Sequence, residues 1–237
     1  MGRFINFPVD VQIGWPNNQL AVSFGPWEII VFPPSAEHEA SLHLDLIGAK
    51  LSDVGAMTVL NQFLSIGAWL DDTYAVLRSG WSGNPVPSRP IRRTSNWPSS
   101  ILDVWPNAWS PIADKSARRA LAIYREAVNM QYFHSQPYAA LGFYKILESA
   151  YPDGLRRAKK LEEQIDMLIV NGEIEPYRLQ TINMEQTKSP EKIASFLYRM
   201  GRQAVAHANK NPTIDPDDIG QQRQMSVAAS ILRTVAR

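Results

Sequence analysis

The spacing of the apolar residues changes along this chain and divides it into two parts with different secondary structure. The first part contains four short segments rich in β-branched and aromatic residues, VDVQIGW, LAVSF, WEIIVF and SLHLDLI, which are separated by turn residues such as Gly25-Pro26 and Pro33-Pro34. From residue 111 onward the apolar residues recur at helical spacing almost to the end. The chain is therefore predicted to be α+β, with the strands first and the helices last.

Three regions are expected from this pattern. Residues 1–80 are predicted to form a small antiparallel β-rich domain, covered by one apolar helix that starts near Ser52. Residues 81–110 form a connector rich in proline, tryptophan and arginine. Residues 111–237 form an all-α bundle, in which one helix begins after Ser135 and ends at the turn sequence YPDG.

Composition excludes several classes of site. The chain has no cysteine, so it has neither disulfides nor thiolate ligands, and this fits a reducing compartment. It has no apolar run long enough to span a membrane and no signal-peptide core, so a cytoplasmic protein without membrane contact is expected. The four histidines show no ligand spacing, and we expect neither a metal nor another cofactor.

Charge is distributed unevenly between the two parts. Residues 1–110 have six basic and nine acidic side chains, a net charge of −3, and residues 111–237 have eighteen and fourteen, a net charge of +4. This excess is far smaller than that of a typical nucleic-acid-binding domain. It permits a polyanionic partner without requiring one.

The connector contains arginines that lie between tryptophans. Arg89, Arg92 and Arg93 fall among the tryptophans at positions 81, 97, 105 and 109. Arginine beside exposed tryptophan is typical of surfaces that bind single-stranded nucleic acid, so these three arginines are candidate RNA contacts. The alternative, which we favour, is a proline-stiffened connector whose tryptophans fill the junction between two domains.

One strand carries a histidine and an aspartate on the same face. In LHLDLI the leucines share one face, and His43 and Asp45 share the other. Such a pair can serve catalysis, but two polar neighbours on one face of a strand are more often simply solvated. We expect the solvated face.

The stretch SPEKIASFLYRMGRQAVAHANK, residues 189–210, is predicted to be one amphipathic helix. Near its end, Arg202 and His207 place a cation that can bind phosphate close to a side chain that can carry a proton. On a regular helix these two positions point about 140° apart. A buried, hydrogen-bonded histidine with a surface arginine is therefore the alternative interpretation.

The phrases AIYREA, ALGFYKILESAYPDG and YRMGRQAVAHA resemble bacterial HEPN proteins of the MauJ-like and Apea-like kind. The hallmark of the HEPN superfamily is an arginine and a histidine separated by four to six residues on a late helix of a compact bundle. The resemblance covers residues 111–237. One departure is Gln203, since the residue after the arginine is usually Asn, Asp or His in that family.

The resemblance implies a metal-independent endoribonuclease that acts as a homodimer, with the two motifs facing each other across a two-fold axis. His207 would then transfer a proton, Arg202 would stabilise charge on the phosphate, Gln203 would orient one of these groups, and Arg199 would contact RNA. A toxin or defence effector, restrained by a regulatory protein partner, is the setting that such an activity suggests.

Two other classes remain open from the sequence. The first is a HEPN-like domain without catalysis that binds nucleotides or assembles with proteins, an alternative favoured by Gln203 and the weak net charge. The second is an unrelated enzyme, or a phage- or defence-linked interaction protein that recognises partners through its β-rich half. In that case His43, Asp45 and the arginines of the connector would matter more than the late helix.

Overall fold

The computed structural model describes residues 2–94, 97–182, 189–203, 205 and 218–237. It forms two compact units, Met1–Arg125 and Glu126–Arg237, the first rich in strands and the second helical. The predicted α+β class is confirmed.

A seven-stranded sheet forms the body of the N-terminal unit. Its longest strands alternate buried and exposed side chains or are buried throughout, as expected for a sheet that is covered by other elements. The strand order is β6-β1-β5-β4-β3-β9, β7 also pairs with β1, and β2 and β8 form a separate parallel pair. The strands are β1 (Phe4–Val11), β2 (Trp15–Pro16), β3 (Leu20–Phe24), β4 (Trp27–Phe32), β5 (Ser41–Asp45), β6 (Ala75–Leu77), β7 (Trp81–Asn84), β8 (Ile101–Leu102) and β9 (Ala108–Trp109).

Helix α1 (Asp53–Leu70) covers one face of this sheet. The Ser52 hydroxyl caps the helix by accepting a hydrogen bond from the Gly55 N–H at 3.1 Å. Phe63 is fully buried in the shared core, where its ring lies 5.6 Å from that of Phe24 and 4.7 Å from that of Trp109. The aromatic cluster around Phe63 therefore joins the helix to the sheet.

Residues 81–110, predicted as a connector, contribute three of these strands. β7 pairs with β1, β8 pairs with β2, and β9 pairs in parallel with β3. Trp105 is buried, and its indole N–H donates to the Gly14 carbonyl at 3.0 Å. The predicted division of the chain into regions 1–80, 81–110 and 111–237 stays a prediction.

The solvated face expected around His43 is wrong. His43 is fully buried, with Nδ1 2.8 Å from Oδ1 of Asn6 and Nε2 2.8 Å from the Ser41 hydroxyl. The segment after β7 covers this face, because the Ser88 N–H donates to the same Asn6 oxygen and Arg89 lies over the Phe32 ring. Because the segment that covers His43 is distant in the sequence, the alternation of apolar and polar residues in LHLDLI does not indicate this burial.

Burial is the main cause that lowers the pKa of His43 from 6.5 to about 3, and the nearby Arg89 charge contributes to this shift. Between pH 6.5 and 3 the unfolded chain binds a proton that the folded chain does not. The stability that the neutral His43 imidazole contributes is therefore fully present above pH 6.5 and is lost as the pH falls toward 3. We expect the N-terminal unit to lose about 1.4 kcal/mol for each pH unit below 6.5, relative to His43→Gln. Urea unfolding followed by tryptophan fluorescence measures this, since all seven tryptophans lie in this unit. Equal pH slopes for the two proteins would contradict the buried neutral imidazole.

The C-terminal unit is built from helices. They are α2 (Lys115–Tyr132), which begins before this unit, α3 (Gln136–Ala150), α4 (Gly154–Val170), α5 (Pro176–Thr181), α6 (Pro190–Tyr198) and α7 (Ile219–Ala236). Helix α3 begins directly after Ser135, as predicted, and packs along α7, while α4 packs against α6. Within the described ranges, every helix is too short or too polar to cross a membrane.

Candidate functional site

The predicted helix over residues 189–210 changes its geometry before the arginine. The regular helix α6 ends at Tyr198, and Arg199–Gln203 form a single π-helical turn. Turns of this kind are rare and are found frequently at functional sites. His207 and Ala204 lie outside the described residues, so the interpretation of His207 as a buried histidine stays untested.

Gly201 explains how the π-helical turn packs. A Cβ atom at this position would lie 2.7 Å from Cδ1 of Leu232 on α7 and 3.5 Å from the Ala140 carbonyl oxygen on α3. Met200, the preceding residue, is also buried. The turn is therefore pressed between α3 and α7, and this contact fixes the position of Arg202.

Arg202 forms an ion pair with Glu148 of helix α3. Nε of Arg202 donates to Oε1 of Glu148 at 2.9 Å, and both side chains are about one-third exposed, at 32% and 29%. Guanidinium carries five donors in a rigid fork, so a single bond at Nε orients the group without using the two terminal nitrogens. The structure thus holds Arg202 in a defined orientation at the edge of solvent.

A second polar group lies one helical turn away from Glu148 on α3. The Tyr144 hydroxyl accepts a hydrogen bond from Nε of Arg157 at 3.2 Å, and the Tyr198 ring lies 5.9 Å from the Tyr144 ring. Burial raises the pKa of Tyr144, with the bond to Arg157 acting in the opposite direction. The phenol therefore stays protonated at neutral pH and cannot serve as a base.

A pocket of about 410 Å³ between α3, α4 and α6 is lined by side chains that include Tyr144, Arg157 and Tyr198. A pocket of this size falls within the range that holds small ligands. Its polar lining has both signs of charge, from Arg157 and from Glu162 and Glu191. The described pocket can therefore orient a polar ligand.

The other residues that the sequence singled out near the motif are exposed. Gln203 is exposed at the end of the π-helical turn. Arg199 is also exposed, with its guanidinium 5.9 Å from the centroid of the Phe196 ring. Both are accessible to a ligand, and their roles stay predictions.

The arginines of the connector have structural partners. Arg89 donates to the Pro33 carbonyl at 2.7 Å, and Arg92 donates to the Ser35 carbonyl and lies 3.9 Å from the Trp97 ring centroid. Arg93 is exposed, while its backbone N–H donates to Glu39. All three belong to the N-terminal unit, whereas Arg202 belongs to the C-terminal unit. Contact with RNA at these positions stays a prediction.

Sequence reasoning missed Glu148 and Tyr144. Glu148 lies 54 positions before Arg202, so no local pattern connects the two. The sequence indicated only that Glu148 and Arg202 occupy polar positions on two helices of the expected bundle. A sequence read without contacts offers no way to choose Glu148 among the other acids of these helices.

The described residues contain no cluster of three or more histidine, aspartate or glutamate side chains able to hold a metal ion. Comparison of the chain with curated proteins and with solved structures gives no match. Residues 120–237, which include Glu148 and Arg202, match the family model described as methylamine utilization protein MauJ.

Proposed function

We propose that this protein is a metal-independent endoribonuclease of the HEPN type that acts as a homodimer. The observation that carries the proposal is the Arg202–Glu148 pair, at 2.9 Å, on a π-helical turn of the part that matches the MauJ family. The resemblance of YRMGRQAVAHA to the HEPN motif adds His207 as the proton carrier. Together they supply a cation for phosphate and an acid–base group.

Arg202 acts on the phosphate. Its terminal nitrogens bind two phosphate oxygens and stabilise the negative charge that grows on them in the transition state. Glu148 keeps the guanidinium plane fixed, so less side-chain entropy is lost when the phosphate binds. Glu148 is thus a positioning residue.

His207 moves the proton. The ribose 2′-oxygen attacks the neighbouring phosphorus, and the bond from phosphorus to the 5′-oxygen breaks. His207 takes the proton from the 2′-hydroxyl or gives one to the leaving 5′-oxygen, roles that histidine commonly performs near neutral pH. The products are a 2′,3′-cyclic phosphate and a 5′-hydroxyl.

A two-fold axis supplies the second half of the site. An isologous interface places the same surface of both protomers in contact, so two copies of Arg202 and His207 share one cleft. Gln203 and Arg199, both exposed, contact the phosphate or the flanking strand. Solution mass tests this step, since a strict monomer cannot form the shared cleft.

The test is cleavage of a labelled RNA in EDTA beside a DNA of the same sequence. We expect the RNA to be cut and to leave 2′,3′-cyclic phosphate ends, while the DNA survives because it lacks the attacking 2′-hydroxyl. Cleavage of both strands, loss of activity in EDTA, or an uncut RNA would each overturn the proposal.

A nucleotide-binding or assembly module without catalysis is the second candidate. It is favoured by Gln203 at the position after the arginine and by the weak net charge of the chain. This candidate predicts nucleotide or RNA binding without cleavage, and it predicts that His207→Ala leaves any cellular effect intact.

A further inference from the structure

A groove with an unbalanced positive charge lies within the N-terminal unit, between helix α1 and the first half of helix α2. Its volume is about 410 Å³. Helix α1 contributes a polar wall made of Thr58, Asn61, Gln62 and Ser65. The opposite wall comes mainly from α2. The size is that of a ligand site, and the groove is remote in sequence from Arg202.

Four cations line this groove and no carboxylate does. They are Lys115, Arg118, Arg119 and Arg125. Lys115 and Arg119 are exposed, and Arg118 is half-buried. This concentration of charge contrasts with the net negative charge of residues 1–110. A groove lined by one sign of charge raises the local concentration of the opposite sign.

Three of the cations have no ion-pair partner among the described residues. The five ion pairs there lie elsewhere and leave out Lys115, Arg118 and Arg119. Asp114, the adjacent acid, is occupied as the helix cap, because its Oδ1 accepts the Ala117 N–H at 2.6 Å. The positive charge of the groove is therefore not neutralised by the protein itself.

Arg125 has a different role. It donates to the Asn61 carbonyl at 2.9 Å and to the Asn61 side-chain oxygen at 2.7 Å. These bonds fix α2 against α1. Arg125 therefore holds the groove in shape while the three cations above remain available to a ligand.

The three available cations share one face of helix α2. Lys115, Arg118 and Arg119 lie within about 6 Å along the helix axis, at spacings of three and four residues, so they can contact neighbouring phosphates of one strand. No aromatic side chain lines the groove, so it lacks the surfaces on which bases stack. We propose that this groove binds the phosphate backbone of a single-stranded nucleic acid without sequence preference.

The proposal does not depend on cleavage, and its test separates the two. Binding of a fluorescent twelve-nucleotide RNA is measured in EDTA, in the His207→Ala background, between 50 and 200 mM salt. Replacing Lys115, Arg118 and Arg119 together by glutamine removes three phosphate contacts. We expect at least a tenfold loss of affinity at 50 mM salt and a slope of log K against log salt that is shallower by about 2.

A matched control removes the same charge from scattered exposed positions, Lys50, Lys192 and Arg223, all replaced by glutamine. We expect this variant to keep most of the affinity and the slope of log K against log salt.

A DNA strand of equal length should bind within a few-fold of the RNA, because the groove is proposed to recognise phosphate. A second groove variant, Lys115→Glu with Arg119→Glu at exposed positions, should weaken binding further.

Several results would overturn the proposal. Equal losses in the groove variant and in the scattered variant would show a general charge effect. Displacement of the strand by ATP at the same phosphate concentration would indicate a nucleotide site instead of a strand site. Absence of binding by the protein with an intact groove at 50 mM salt would remove the proposal whether or not the protein cleaves RNA.

Discussion

Arg202→Ala is expected to slow RNA cleavage by about 10²–10³-fold, the cost of removing one group that stabilises charge in the transition state. Folding should be affected little, because the Arg202–Glu148 pair is about one-third exposed, and such pairs contribute about 1 kcal/mol or less. Initial rates on a labelled RNA, with circular dichroism as the check on folding, measure both effects.

Two matched variants sharpen this comparison. Arg156→Ala removes an exposed arginine of the same unit, one that lies 6.0 Å from the Tyr151 ring, and should cleave at the rate of the unaltered protein. Glu148→Gln keeps an oxygen that can accept from Arg202 and should lose less than about tenfold. Equal activity of Arg202→Ala and Arg156→Ala would remove Arg202 from the mechanism.

Phe63→Ala is expected to destabilise the N-terminal unit by about 3–5 kcal/mol, the usual cost of truncating a buried phenylalanine. The ring is fully buried and contacts Phe24, Trp105 and Trp109, so its loss leaves a cavity where the helix meets the sheet. Tryptophan fluorescence during urea unfolding follows this unit alone, since all seven tryptophans belong to it.

Val54→Ala on the same helix is the control, because Val54 is 73% exposed. Alanine is also the better helix former, so the change should stay within about 0.5 kcal/mol of zero. A cost below about 1 kcal/mol for Phe63→Ala would contradict the position of its ring in the core.

The elements of the fold were accessible from the sequence wherever the periodicity was strong. The strands WEIIVF and SLHLDLI and the helix after Ser135 follow from apolar spacing and from proline in a first turn. The two-residue strands β2, β8 and β9 were missed, because such short pairings depend on distant partners and leave no period to detect.

The candidate site was accessible only in part. Arg202 could be chosen because residue type and spacing resemble a known motif, whereas Glu148 is brought to it by the packing of the π-helical turn against α3. For His43 the sequence was misleading, because the polar face of its strand predicts a solvent-exposed side chain. In the structure the segment around Ser88 covers this face and buries His43. Contacts between distant segments decide both cases.

The most direct measurement compares cleavage of one labelled RNA in EDTA by the protein, by His207→Ala and by His134→Asn. His134 is an exposed histidine with φ of 60°, a conformation that asparagine tolerates, so it controls for the loss of an imidazole. We predict cleavage by the protein and by His134→Asn, and a rate at least about 10²-fold lower for His207→Ala. Cleavage by none of the three, or at equal rates by all three, would contradict an RNA-cleaving site built on Arg202 and His207.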